Sequence, residues 1–223
     1  MMGLAASRIV AIGFVGFGLI TPHIKAQSRQ DPMATKILIE VGTRYKKLPG
    51  FSAEFTRESQ DIKGDVQSST SCNILVSGSK YRLKTGTTTL FCDGKTVWTA
   101  DKKIKEVSIA EYDPEPDDIT PERVYTFYKK GYKYIFIGEV KAGNSVWQTI
   151  DLEPENLNKE ISKIRLFVDR KTKEIRKWIV FERGSNEREE FEIRKFTVLG
   201  KSPEKELRFD KAAFPGYKIV DLR

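Results

Sequence analysis

The side chains able to move protons or hold metals are unevenly supplied in this sequence. One histidine (His23), two cysteines (Cys72 and Cys92) and 31 Asp and Glu residues stand among 223 positions. A Ser-His-Asp or Cys-His nucleophile needs an imidazole to shuttle a proton near neutral pH, and most catalytic zinc sites need one as a ligand. His23 lies in a segment with the layout of a secretory signal: Arg8, a twelve-residue apolar run from Ile9 to Ile20, a Thr21-Pro22 break, and Ile24-Lys25-Ala26 before Gln27. As a helix that run rises about 18 Å, short of the roughly 30 Å of bilayer hydrocarbon, so cleavage is expected rather than anchoring. Residues 1–26 read as a signal peptide and 27–223 as one domain. Cleavage after Ala26 leaves 197 residues without a histidine, from which neither kind of site can be built. No catalytic residue, metal or cofactor is assigned.

Carboxylate pairs are the remaining hydrolytic chemistry, as in glycosidases, because they need neither imidazole nor metal. Here the acids lie in loops or beside basic partners, with no pair set apart by an apolar setting. The acidic stretch Glu111-Tyr112-Asp113-Pro114-Glu115-Pro116-Asp117-Asp118 lacks the glycine of a calcium loop and is broken by two prolines. Stepping back from the Gly78-Ser79 and Gly86-Thr87 turns places Cys72 opposite Thr85 and Cys92 opposite Tyr81. That puts the cysteines two strands apart and out of register, so two small buried thiols are expected rather than a disulfide. The nearest cysteine to the signal is Cys72, so the mature N-terminus offers no thiol for a lipid anchor. Loss of Arg8 and Lys25 lowers the formal charge from +8 to +6. The charges are of mixed sign along runs such as Lys171-Thr172-Lys173-Glu174, the pattern of a solvated face, and export argues against nucleic acid as a partner.

The elements that must position any site are mostly strands. Ile37, Leu38, Val41, Tyr45 and Leu48 fall at helical spacing over Ala34 to Leu48, closed by Pro49-Gly50. Phe51, Ala53 and Phe55 then alternate with polar residues. A meander follows over Cys72 to Ser77, Lys80 to Thr85, Thr88 to Cys92, Thr96 to Ala100 and Lys105 to Ile109, with Asp93-Gly94 as its strongest hairpin signal. Thr120-Pro121-Glu122 caps a short second helix whose stripe is Val124, Phe127 and Tyr128, ending at Gly131. A second set of strands covers Tyr134 to Val140, Ser145 to Leu152, Lys163 to Asp169, Ile175 to Glu182, Arg188 to Val198 and Leu207 to Phe209. About eleven strands with no crossover helices predict a mainly β, antiparallel sheet, strongly curved or an unclosed barrel, with a helical lid on its concave face. Trp178-Ile179-Val180-Phe181 and Tyr134-Ile135-Phe136-Ile137 are apolar at both parities, so some strands have both faces covered. The 24 aromatics (3 Trp, 8 Tyr, 13 Phe) are enough for a large core or an apolar cavity.

Several blocks in this order carry a resemblance. They are Phe51-Ser52-Ala53-Glu54-Phe55-Thr56, Lys80-Tyr81-Arg82-Leu83, Asp93-Gly94-Lys95-Thr96-Val97-Trp98, Ile119-Thr120-Pro121, Phe127 to Tyr134, and the tail Phe214-Pro215-Gly216-Tyr217-Lys218-Ile219-Val220-Asp221-Leu222-Arg223. Together they resemble the LolA-like family, periplasmic carriers that ferry lipoproteins to the outer membrane, in its Bacteroidetes-type branch. The resemblance implies a periplasmic, non-enzymatic, monomeric carrier whose apolar cavity takes the acyl chains of lipoproteins. It implies cargo received from an inner-membrane ATP-binding-cassette exporter and handed to the outer membrane or an acceptor there. Tyr45 stands on the first helix where enterobacterial members have a lid leucine. Gly78 stands where they have an arginine that locks the lid, so that lock is not carried over.

Withdrawing a C16 acyl chain into water exposes about fifteen methylenes, roughly 12 kcal/mol at about 0.8 kcal/mol each, and a carrier cavity must return most of that. The candidate cavity and lid residues are Ile37, Val41, Tyr45, Phe55, Leu83, Trp98, Val124, Phe127, Tyr128 and Phe136. The alternative on the same fold is a module that binds lipid or glycolipid, or senses envelope stress.

Overall fold

The carboxylate of Asp31 accepts hydrogen bonds from the Met33 and Ala34 amides at 2.8 and 3.0 Å, and Pro32 occupies the first turn, where its missing N–H costs nothing. The computed structural model describes residues 30–61, 63–114, 123, 125–129 and 131–223. In it α1 spans Pro32–Lys46, opening two residues before the expected start because of that cap. It buries Ala34, Ile37, Leu38, Val41 and Tyr45 on one side.

Six strands follow as a meander: β1 (Phe51–Asp61), β2 (Val66–Ser77), β3 (Lys80–Thr85), β4 (Thr88–Cys92), β5 (Thr96–Asp101) and β6 (Glu106–Glu111). The expected start of β6 at Lys105 moves to Glu106, because Lys105 takes a left-handed φ of 52° that ends regular pairing. A second meander comprises β7 (Tyr132–Ala142), β8 (Ser145–Pro154), β9 (Ile161–Asp169), β10 (Ile175–Glu182) and β11 (Glu187–Val198). Pairing of β1 with β11, from Phe51↔Val198 to Asp61↔Glu187, joins the two meanders into one sheet. With β12 (Lys218–Asp221) its order is β12-β6-β5-β4-β3-β2-β1-β11-β10-β9-β8-β7, twelve strands with two free edges. The sheet is unclosed and mainly antiparallel, as its alternation and lack of crossover helices predict.

Two expectations are corrected at the C-terminal end. Leu207 to Phe209 is not a strand: Glu204–Leu207 forms a single helical turn, α2, after Pro203, and Phe209 turns inward to stack on Trp98 at 5.5 Å. The tail adds β12 parallel to β6, Lys218↔Glu106 to Asp221↔Ile109. The strap from residue 199 to 217 crosses the outer face of the sheet and carries the chain from β11 to the edge beside β6. The expected second helix is represented among the described residues by turns at 123, 125 and 126 and a 3₁₀ turn over Phe127–Lys129. Its cap at Thr120-Pro121-Glu122 and Val124 lie outside the described residues, as do positions 115–118 of the acidic loop and all of residues 1–29.

Part of the sheet is covered on both faces, but the edge strand β7 is not: Ile135 and Ile137 are 53% and 50% exposed. The expectation drawn there from apolar residues at both parities is corrected, because α1 packs on this edge only from the concave side. On the concave face, Ile37, Leu38 and Val41 of α1 meet Ile150, Leu152, Ile164 and Leu166, all essentially without solvent contact. On the convex face the strap lays Leu207, Phe209 and Phe214 over Leu75, Phe91 and Trp98, with Phe91 5.8 Å from Phe209 and 6.1 Å from Phe214. Cys72 pairs with Thr85 and Cys92 with Tyr81, and both are buried cysteines in no disulfide.

Candidate functional site

An apolar cavity of about 330 Å³ lies on the concave face beside the C-terminal end of α1. Alternation sends Phe51, Ala53 and Phe55 of β1, Ile74 of β2 and Leu83 of β3 into it from one side. Ile175, Trp178 and Val180 of β10 and Phe191, Ile193 and Phe196 of β11 enter from the other, with Ile161 of β9 and Tyr45 of α1 completing the wall. The β-bulge opposite Glu54/Phe55 lets both Ile193 and Phe196 face inward although they are three residues apart. The volume falls at the lower end of the roughly 300–1,000 Å³ of small-molecule sites.

Aromatic contacts stiffen the wall. Trp178 stacks on Phe191 at 4.8 Å and 6°, with Phe55 tilted against both at 6.0 and 6.4 Å. Phe51 stacks on Phe196 at 5.2 Å, and Tyr45 meets both rings edge-on at 5.4 and 5.6 Å. Such pairs add about 0.5–1.5 kcal/mol each beyond their burial.

The Tyr45 phenol is the one hydroxyl in the wall, and its oxygen accepts from the Ile175 N–H at 3.2 Å. Burial pushes its pKa well above the ordinary tyrosine value, so it stays neutral. One step beyond Phe55 and Phe191, Arg57 and Glu189 form an ion pair across β1 and β11, with Nη2 to Oε1 at 2.9 Å. Its hydrogen bond to Glu189 raises the Arg57 pKa against partial burial. The cavity therefore passes from an apolar wall to a charged threshold within one strand repeat. Among the described residues no three His, Cys, Asp or Glu side chains converge as a metal site, and no helix is long and apolar enough to cross a membrane.

Of the residues singled out from sequence, Tyr45, Phe55 and Leu83 stand in this wall. Ile37 and Val41 lie fully buried between α1 and the sheet. The buried Tyr128 donates its hydroxyl to the Leu38 carbonyl at 2.8 Å, against the outer side of α1, and burial pushes its pKa up to about 12. Gly42 admits that contact, since an added Cβ would lie 3.3 Å from the Tyr128 hydroxyl. Phe136 is half-buried on the concave face of β7 and packs against the main core rather than the cavity. Trp98 lies on the opposite, convex face, under the C-terminal strap. Val124 and the Phe127 side chain lie outside the described residues. The wall residues not singled out, chiefly Trp178, Phe191, Ile193 and Phe196, had a signal in their apolar content. The missing information was which strands would face each other.

Residues 28–174, two thirds of the chain, match the family model described as outer membrane lipoprotein carrier protein LolA. No curated protein matches the chain significantly. An uncharacterized conserved protein from Thermus thermophilus is similar in structure, with a TM-score of 0.59 at 11% identity over 85% of this chain and 99% of that one. A LolA superfamily protein from Nitrosomonas europaea aligns with a TM-score of 0.43 at 9% identity, over 80% of this chain and 98% of that one. MucB of Pseudomonas aeruginosa, solved as a complex with MucA, gives 0.43 at 14% identity over 80% and 62%.

Proposed function

Because this chain belongs to the LolA-like family of outer-membrane lipoprotein carriers, we propose that it shelters the acyl chains of lipoproteins in its concave cavity and ferries them across the periplasm. The observation that carries this reading is the cavity itself: about 330 Å³ walled by thirteen apolar or aromatic side chains from six strands and α1. A wall of that composition returns the hydrophobic free energy that an acyl chain loses on leaving a membrane, and its one hydroxyl is already satisfied. Residues 1–26 serve as a cleaved export signal. Cargo arrives from an inner-membrane ATP-binding-cassette exporter and leaves to the outer membrane or an acceptor there. The carrier works as a monomer without a cofactor.

Uptake of a full chain requires movement of α1, whose Tyr45 closes one end of the cavity, so empty and loaded forms are two packings in equilibrium. The test is native mass spectrometry of the protein purified from its own envelope, together with Phe191→Asp. Co-purifying acylated lipoprotein is expected, lost in the variant while far-ultraviolet circular dichroism still reports a sheet. Free lipid alone, with no acylated polypeptide, would assign the cavity to a different cargo.

A further inference from the structure

The strand β3 stops short of its neighbour. Its pairing with β2 runs from Ser77↔Lys80 to Cys72↔Thr85, whereas β2 continues back to Val66 and stays paired there with β1. The segment from Val66 to Ser71 therefore has β1 on one side and, among the described residues, no strand on the other. The two-residue Gly78-Ser79 turn makes Ser77 and Lys80 a hydrogen-bonded pair, so alternate residues of β2 direct N–H and C=O toward β3. Asn73 meets Lys84 in this way. Ser71 and Ser69, next in the series, face open space where β3 would have continued.

Among the described residues no charge, proline or covering element blunts this edge. Its one irregularity is a β-bulge at Gln67, where Ser59↔Ser68 is followed by Gln60↔Val66, beyond Ser69 and Ser71. β7 carries Lys133, Glu139 and Lys141, and its start is capped by Gln30, which donates to the Tyr132 carbonyl at 2.9 Å and accepts from the Tyr134 amide at 3.0 Å. β12 is short and bears Lys218 and Asp221 at its ends. Val66-Gln67-Ser68-Ser69-Thr70-Ser71 holds neither a charge nor a proline, in a chain of which 31% is charged. Proteins ordinarily disarm exposed edges with such residues, because an unpaired edge is a template for another strand.

The vacant line also adjoins the cavity. Cys72, where β3 ends, is paired with the wall residue Phe55, and Leu83, another wall residue, lies two residues before that end. That separation is about 7 Å along a strand. A separate cleft of about 310 Å³ opens at the same point toward the convex face, lined in part by Glu54, Thr56, Ser71, Asn73, Lys84 and Arg194.

We propose that this unpaired edge of β2 binds, as an added strand, the extended polypeptide that follows the acylated residue of a lipoprotein, an inference that rests on the carrier reading above. A chain whose acyl group lies between Phe55 and Leu83 emerges directly onto the vacant line. The N–H and C=O groups of Ser69 and Ser71 offer it four hydrogen bonds. Backbone pairing is blind to side chains, which suits a carrier that accepts many sequences behind one kind of lipid.

The test measures binding of two synthetic ligands to the purified protein: an N-acyl-S-diacylglyceryl-cysteine followed by eight uncharged residues, and the same lipidated cysteine as an amide. The peptide-bearing ligand is expected to bind about tenfold more tightly, the effect of one or two net hydrogen bonds. The double variant Ser69→Pro, Ser71→Pro removes two amides that no neighbouring strand uses, and is expected to erase that difference while leaving the short ligand unaffected. Ser69→Ala, Ser71→Ala is expected to keep it. A tenfold preference that survives the prolines, or one that alanine abolishes, overturns the proposal. In the wild type the long ligand should also slow amide exchange at Ser69 and Ser71, and unchanged exchange overturns it however the proline variant folds. Equal binding of both ligands leaves the cavity reading standing and the edge proposal refuted, whereas no binding of either refutes both. Self-association abolished by the prolines would assign the edge to a second copy instead.

Discussion

Tyr45 links the lid, the cavity and the sheet through one side chain. Its ring closes the wall against Phe51, Phe196 and Tyr125, the last stacked at 5.0 Å, while its oxygen satisfies the Ile175 amide. Tyr45→Phe keeps the ring but leaves a buried N–H without its acceptor. We expect a loss of about 1–2 kcal/mol in urea unfolding, with cavity ligand affinity nearly unchanged. The phenol also makes stability depend on pH. Burial raises the pKa of Tyr45 and of Tyr128 in the folded state, to about 12 for Tyr128, above the ordinary value of about 10 that applies when unfolded. The stabilisation is therefore complete below about pH 10 and is lost as pH rises beyond it, because unfolded phenols ionise while native ones hold their protons. Tyr45→Phe should shallow that alkaline decline, and an unaltered slope would show that the decline has another origin.

At the scale of elements, α1 packs on the sheet through its buried stripe and is tied at its cavity end by one turn. Glu40 pairs with Lys173 at 2.8 Å, Arg44 with Glu174, and Tyr45 with Ile175, so the last two residues of the β9–β10 turn and the first of β10 restrain the cavity end of the helix. The Gly78 turn plays no such part, since even an added Cβ there would meet no atom within 4 Å. Glu174→Ala should free the helix end at a cost of about 1 kcal/mol or less, the pair being partly exposed. Faster amide exchange in the C-terminal half of α1 and a several-fold rise in uptake of an apolar fluorescent probe are expected. Exchange that quickens without greater uptake would mean that another element gates the cavity. This restraint could not be read from sequence, because Glu174 and Arg44 are 130 residues apart and look like ordinary surface charges. The strands themselves were legible from alternation and turn residues, as was the offset of Cys72 from Cys92. The parallel β12 was hidden because four residues, Lys218–Asp221, carry too little periodicity, and only the long strap explains why they pair with β6. Phe55 and Leu83 could be picked as wall candidates from strand parity and Tyr45 from helical spacing. Trp98 has the same apolar signature, but one step of register sends it to the other face.

The whole molecule is a single sheet with two apolar layers, and the placement of Trp98 and Phe55 on opposite faces makes their roles separable. The convex layer is closed by the chain's own strap, tied down by Lys80 to Glu204 at 2.6 Å and by Arg82 to the Glu206 carbonyl at 3.1 Å. The concave layer is closed by α1 only in part and leaves the cavity. The strap runs on into the edge strand β12 of the same continuous sheet, whereas α1 covers the concave face from outside the sheet order. Trp98→Ala removes the ring that stacks on Phe209 and should cost about 2–4 kcal/mol of stability, the half-buried ring placing it toward the lower end. Affinity for an acyl ligand, measured well below the unfolding temperature, should stay within about twofold of wild type. Phe55→Asp should do the reverse at the cavity, abolishing acyl binding by placing a carboxylate among Trp178 and Phe191, and it should leave the strap's amide protection intact. If Trp98→Ala weakened acyl binding as much as it weakened folding, the two layers would be coupled through the sheet, and the carrier would load by flexing the whole sheet rather than by moving its lid.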